Sequence, residues 1–325
     1  FGKDQYNAKH KIKSLQHFLD YIQTRPPRQD LKNFIQSDYR IYRSVGRNGE
    51  GEVLYTGYYE PLLKGSLVRS DRYRFPIYTR PRDLITIDLS LFHKKFRGEK
   101  IIGRYTNQSV VPYYDRSEIE TGGVLADKAG VLAWAEDPVD VFFLQIQGSG
   151  KVQLDNGEVF NVNYQTTNGR PYRSIGKLLI DEEKISATDM SMQKIREYLH
   201  HHPNEIDTVL NYNPSYVFFK IEPNGPLGNI NVKLTAGRSI ALDRRIFPSA
   251  ALAFIETEKP LIDDAGKIHS WQRFSRFALN QDTGGAIRGP GRADLFWGNG
   301  SYAEIAAGHL KHTGKLYFLV LKSTS

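Results

Sequence analysis

The segment richest in groups that could do chemistry is Gln281-Asp282-Thr283-Gly284-Gly285-Ala286-Ile287-Arg288-Gly289-Pro290-Gly291-Arg292-Ala293-Asp294-Leu295-Phe296-Trp297-Gly298. Its glycines permit turns and close backbone approaches that a side chain would block, the composition of a loop lining a cleft. Two carboxylates, Asp282 and Asp294, stand on either side of the glycines. If Arg292 to Phe296 is extended, Arg292, Asp294 and Phe296 share one face, and Ala293 and Leu295 the other. A carboxyl beside an aromatic ring at a cleft is a candidate general acid, because partial desolvation disfavours its charged form and keeps the proton on. The same Asp could instead close a turn or pair with Arg292, and spacing leaves both readings open.

Other chemistries find little support. The chain has no cysteine, which removes disulfides, thiolate metal sites and cysteine nucleophiles. Gly148-Ser149-Gly150-Lys151 lacks the phosphate-loop spacing and precedes strand-like residues, and there is no G-x-S-x-G elbow. His200-His201-His202 falls at a helix end, where three adjacent rings point in different directions, so neither metal nor other cofactor is expected. The excess of 44 Lys and Arg over 36 Asp and Glu, a net +8, suits nucleic acid, anionic lipid or an anionic cell-wall polymer, or serves only solubility. The 19 tyrosines suit stacking on sugars or bases, or simply strands.

Positioning these groups falls to a mainly β scaffold. Apolar residues make up 40 % of 325, enough for a buried core in about two domains. No apolar run approaches the roughly 18–20 residues of a membrane span. Residues 7–23 place Ile12, Leu15, Phe18, Leu19 and Ile22 at helical spacing ahead of Pro26 and Pro27. Short β-branched or aromatic runs predict strands at 53–59, 73–78, 141–146, 159–164, 217–221 and 316–321. Asn48-Gly49, Gly148-Ser149-Gly150 and Asn156-Gly157 read as hairpin turns. A second helix follows Asp189 and ends at Pro203, and a third opens on a capping box, Ser301-Tyr302-Ala303-Glu304, closing near Gly308 or Gly314. Composition breaks fall near 80–88 and 200–214.

The glycine-rich segment, with Thr235-Ala236-Gly237-Arg238-Ser239-Ile240-Ala241-Leu242-Asp243 upstream, resembles the three-aspartate domain of the membrane-bound lytic murein transglycosylase A (MltA) family. Three further motifs fit the family in order: Thr56-Gly57-Tyr58-Tyr59-Glu60-Pro61, Gln145-Ile146-Gln147-Gly148-Ser149-Gly150 and Asn213-Pro214-Ser215-Tyr216-Val217-Phe218-Phe219. Together they cover roughly residues 50–322. One departure is that Pro248 is followed by Ser249 and Ala250, where the family commonly has a glycine after Ile-x-Pro.

The resemblance implies a double-psi β-barrel built from both chain ends, residues 1–85 and 211–325, with the three-aspartate part at about 215–322. A smaller β-domain, 86–210, would be inserted to form the other wall of a substrate groove, with a few peripheral helices. It implies cleavage of the β-1,4 bond between N-acetylmuramic acid (MurNAc) and N-acetylglucosamine (GlcNAc) in peptidoglycan, leaving 1,6-anhydroMurNAc ends. Asp294 falls at the family's single general acid/base, Asp282 and Asp243 at its supporting aspartates, and Tyr58, Tyr59, Gln147 and Ser149 at candidate sugar contacts. Peptidoglycan strands are the expected partner, with other cell-wall enzymes as further ones and no nucleic acid. The location implied is the periplasm. Because the sequence opens at Phe1, a targeting segment is expected to have been removed, including a lipid anchor to the outer membrane. The rivals are a hydrolytic glycosidase in the same groove and a non-catalytic glycan-binding module.

Overall fold

Asn7 starts the first helix, its side chain accepting from the His10 amide, and α1 (Ala8–Gln23) follows with Ser14 and Phe18 buried. The computed structural model describes residues 6–322. Beyond the two prolines comes a helix the apolar spacing had not singled out, α2 (Arg28–Asp38), with Pro27 at its N-cap. It leads straight into β1 (Tyr39–Arg43) and then β2 (Val53–Glu60).

Two contact-defined units divide the chain, one combining residues up to Tyr58 with those from Gly228 onward, the other Tyr59–Leu227. The second unit contains β3 (Leu62–Ser66), β4 (Phe75–Tyr78), β5 (Ile85–Asp88), β6 (Lys100–Thr106), β7 (Ser109–Pro112) and α3 (Arg116–Glu120). After these come β8 (Val131–Ala135), α4 (Pro138–Gln147), β9 (Ser149–Leu154), β10 (Val159–Thr167), α5 (Ile175–Asp181), α6 (Met192–His201), α7 (Ile206–Asn211) and β11 (Val217–Ile221). One six-stranded sheet runs β11-β10-β9-β3-β8-β4, and a three-stranded one β5-β6-β7. Since β3, β4 and β11 belong to this sheet, this unit spans more residues than the 86–210 that the resemblance implies for the inserted domain.

Residues 141–146 are helical, not a strand. Asp137 caps the Val139 amide, Pro138 occupies the first turn, and Gly148 at φ 80° terminates the helix. Val141 and Leu144 of α4 enter the core of the six-stranded sheet, while Val139, Phe142 and Phe143 enter a second core with Ile195 and Leu199 of α6. A helix covered on two sides is apolar nearly all round, and its short run is indistinguishable by periodicity from a buried strand. Gly148 therefore links a helix to β9 rather than two strands, whereas Asn156-Gly157 does join β9 to β10 as an antiparallel hairpin.

The first unit resumes with β12 (Ser239–Ala241), β13 (Leu252–Ile262), β14 (Ile268–Asp282), β15 (Arg292–Asn299), α8 (Ser301–His309) and β16 (Lys311–Leu321). Its strands run β1-β16-β13-β14-β12-β15-β2, and β16 also pairs with β2. That last pairing closes a six-stranded barrel built from both chain ends, with β1 added outside on β16; closure removes the free edges an open sheet would expose. Asn48-Gly49 joins no hairpin, because β1 and β2 pair with different stretches of β16 rather than with each other. The capping box at Ser301 does not form, since Gly300 is the N-cap without a side-chain cap bond. Likewise Ser191, not Asp189, caps α6. Phe18 and Phe34 bring α1 and α2 onto Tyr39, Leu252, Leu319 and Leu321. No helix among the described residues is long and apolar enough to cross a membrane.

Candidate active site

Pairing within the barrel brings two distant aspartates into line. The short strand β12 lies between β14 and β15, and Ala241 is opposite Asp282 on one side and Asp294 on the other. A β-bulge between Ile240 and Ala241 shifts the β12–β14 register by one residue, so that Asp282 rather than Gln281 lies opposite Ala241 and the two aspartates occupy the strands on either side of it. Their backbones are two strand spacings apart, roughly 10 Å. A large residue at 241 would fill the space between them.

β2 covers the neighbouring side. Thr56 and Tyr58, two residues apart on one strand, face the carboxylates: Thr56 donates its hydroxyl to Asp294 Oδ1, and Tyr58 donates to Asp282 Oδ2 at 3.0 Å. Gly57 faces the opposite way. A Cβ there would lie 2.6 Å from Ala307 Cα and 2.8 Å from the Trp297 indole, so only glycine lets β2 approach α8 this closely. The Tyr58 ring lies 5.2 Å from that of Phe296 and joins Leu234, Ala241 and Ile287 in an apolar floor.

The three aspartates have different environments. Asp282 accepts from the amides of Asn229 (3.0 Å) and Thr283 (2.9 Å) as well as from Tyr58. Burial nevertheless dominates and raises its pKa to about 6, with a smaller push from the charge of Asp294. Asp243 is fully buried at 0 % exposure, but Arg245 grips it through Nε at 2.9 Å and Nη2 at 2.7 Å, and the Gly289 amide donates at 2.9 Å. The Arg245 hydrogen bonds hold its carboxyl far below the ordinary range. Asp294 is half-buried and takes Arg292 Nε at 3.2 Å, while Arg292 Nη2 donates to Thr56 at 3.0 Å. Asp294 thus pairs with Arg292, the second of the readings left open by spacing, while sharing its strand face with Phe296. Among the described residues, both hydrogen bonds to Asp294 fall on Oδ1.

Tyr58 therefore stands with Asp282 and Asp294. Tyr59 and Gln147 meet in the other unit, where the Tyr59 amide donates to Gln147 Oε1 at 3.1 Å. Tyr59 and Ser149 are buried, and Gln147 is half-buried. Sequence reasoning did not single out Thr56 or Asn229; the i, i+2 spacing of Thr56 from Tyr58 was the available signal for the first. The histidine run is otherwise engaged: His200 Nε2 sits 2.7 Å from Asp137, and His201 and His202 bond carbonyls of their own helix. Ala250, in the segment that departs from the family pattern, has φ 57°, a left-handed conformation that favours glycine.

A closed barrel that brings two carboxylates together, one of them kept protonated up to about pH 6 by burial, holds groups of the kind acid/base catalysis needs. Family models match most of the chain, the MltA-specific insert domain at residues 54–220 and the 3D domain at 238–320. Membrane-bound lytic murein transglycosylase A of Escherichia coli K12 is 33 % identical over 293 residues, covering 89 % of this chain and 72 % of that protein. Among solved structures, the membrane-bound lytic murein transglycosylase from Agrobacterium tumefaciens is 33 % identical with a TM-score of 0.76, covering 90 % and 79 % of the two chains. E. coli MltA with bound chitohexaose is 29 % identical with a TM-score of 0.77, covering 97 % and 86 %. The chain belongs to the membrane-bound lytic murein transglycosylase A family.

Proposed function

We propose that this chain is a lytic transglycosylase that cleaves the β-1,4 bond between MurNAc and GlcNAc in peptidoglycan, with Asp294 as its single general acid/base. The observation carrying this reading is the register that sets Asp294 and Asp282 on either side of Ala241, with Asp294 Oδ1 held by Thr56 and Arg292 and Oδ2 without a hydrogen bond among the described residues. Protonated Asp294 gives its proton to the glycosidic oxygen as the C1–O4 bond breaks. The resulting carboxylate then takes the proton of the MurNAc C6 hydroxyl as O6 bonds to C1. No water is consumed, and the proton count on Asp294 returns to its start. Asp282 and Asp243 support the acid, Asp282 through its proton and Asp243 by fixing the Gly289 turn. Tyr58, Tyr59, Gln147 and Ser149 are the proposed glycan contacts. Gln147, half-buried, is more exposed than the other three, its Oε1 accepting from the Tyr59 amide and its Nε2 reaching Met192 Sδ, and the hydroxyl of Tyr58 already serves Asp282.

The names of the relatives agree with envelope association, and the substrate places the enzyme in the periplasm; tethering to the outer membrane by a lipid is part of the same proposal. A second reading, hydrolysis by a carboxylate pair, draws on the pKa of about 6 at Asp282, which would let it share proton transfer. Incubation with purified murein separates the two. New ends should be 1,6-anhydroMurNAc, one water lighter than hydrolytic ends and resistant to borohydride. Label from heavy-oxygen water in most new ends would make the protein a muramidase.

A further inference from the structure

A cavity of about 260 Å³, joined to Asp294 through Arg292, is lined by Arg47, Arg288 and Arg292 together with Gly46, Gly289 and Gly291. It is smaller than the roughly 300–1,000 Å³ of pockets that enclose whole small ligands. No acidic residue lines it. Arg292 spends its Nε on Asp294 and one terminal nitrogen on Thr56. Among the described residues Arg288 reaches only the carbonyls of Gly284 and Ile287, each at 3.1 Å. The guanidinium of Arg47 has no hydrogen-bond or ion-pair partner among the described residues. Arg245, by contrast, is paired through Nε and Nη2 with Asp243 two residues before it.

The pocket is built rather than incidental. Ser44 Oγ donates to the Pro290 carbonyl at 2.7 Å, and the Leu54 amide to that of Gly291 at 2.9 Å, locking the glycine-rich loop to the turn that carries Arg47. Gly291 is essential to that closeness: a Cβ there would fall 2.2 Å from Arg47 Cγ and 2.5 Å from its backbone nitrogen. The Arg47 amide is itself held by the Glu52 carbonyl at 2.9 Å.

Guanidinium forks match carboxylates in geometry and charge. The two sugars of the proposed substrate differ in one respect, the 3-O-lactyl group of MurNAc, which carries a carboxylate either free or on the peptide attached to it. We propose that this pocket binds that carboxylate and so sets which sugar lies next to Asp294, discriminating murein from uncharged N-acetylglucosamine polymers. The proposal rests on the transglycosylase reading and names its specificity determinant.

The test compares the wild type with Arg47→Gln/Arg288→Gln on four substrates: peptide-free murein strands, peptide-bearing strands, and each of these with its carboxyls converted to neutral amides. Wild-type kcat/KM should fall about 10- to 100-fold on neutralised strands, the range for losing a charge-assisted hydrogen bond. The double variant should show that fall already on charged strands and no further fall on neutralised ones. Whichever charged substrate opens the gap identifies the source, free lactyl or peptide carboxylate. Equal rates for the two proteins on charged strands, or an equal loss by the variant on charged and neutral strands, overturns the proposal. Chitohexaose binding and circular dichroism verify the variant's fold, and Arg47→Lys, which keeps the charge but loses the fork, should lie between the two. If the double variant fails to fold, an unchanged wild-type rate on neutralised strands overturns the proposal by itself. Failure of the underlying reading looks different: the wild type then forms no anhydro ends on any strand, and its binding preference for peptide-free murein strands over chitohexaose, lost in the double variant, decides the pocket's role.

Discussion

Replacing Asp282 by Asn should make the protein more stable at pH 8 and leave stability unchanged near pH 3.5. In the folded protein burial raises this carboxyl from the ordinary 3.8 to about 6. Below pH 4 the group is protonated in both folded and unfolded chains and carries no penalty. Between pH 4 and 6 the unfolded chain ionises first, so stability falls as pH rises, and above 6 the full loss persists. At about 1.4 kcal/mol for each tenfold change in ionisation, the gap between 3.8 and 6 corresponds to roughly 3 kcal/mol. Asn keeps the shape and removes the charge. Its oxygen can still accept from the Asn229 and Thr283 amides, and the Tyr58 hydroxyl can turn to accept from the new amide. For a unit of this size each kcal/mol shifts Tm by about 2–4 °C, so Tm at pH 8 should rise on the order of 6–12 °C. Differential scanning calorimetry of both proteins across pH 3.5–8 measures it. A stability difference that does not grow with pH, or a variant less stable at pH 8, refutes the assignment of burial as the dominant influence on Asp282.

Asp294→Asn should lower turnover at least 100-fold with fold and glycan binding intact, since the amide cannot cycle a proton; assays of anhydro-end release alongside calorimetric binding check this, and more than about a tenth of wild-type activity contradicts the role. Asp243→Ala should destabilise by about 1–3 kcal/mol above pH 4, because the Gly289 and Arg245 amides lose a buried acceptor while the exposed Arg245 guanidinium regains water. That contribution is present above the ordinary aspartate pKa and fades as pH falls towards the depressed folded value, so acid unfolding curves of the two proteins should converge. Ala250→Gly should stabilise by about 0.5–1 kcal/mol in denaturant titrations, by relieving a left-handed φ of 57°. Binding to murein should weaken as salt rises, in line with the net +8; sedimentation with insoluble murein across ionic strength reads it, and a flat response assigns binding to stacking and hydrogen bonds.

The alternation in β15, the helix α1, five of the six predicted strand runs and the four ordered motifs were legible in the sequence, because each depends on neighbours within a few residues. Those local patterns sufficed for the family and for a barrel drawing on both chain ends. Tertiary structure decided the rest. The 141–146 run is a helix because two separate cores cover it, and Asn48-Gly49 is no hairpin turn because a strand more than 250 residues away takes both flanks. The alignment of Asp282 and Asp294 across Ala241 is a matter of register between strands whose pairing no local pattern encodes. The opposite fates of the buried carboxyls followed from their surroundings. Asp243 found a guanidinium two residues on and stays ionised, while Asp282 found only neutral donors, so desolvation prevailed. Charge, spacing and residue type are properties of the chain; how much water each group keeps is a property of the fold.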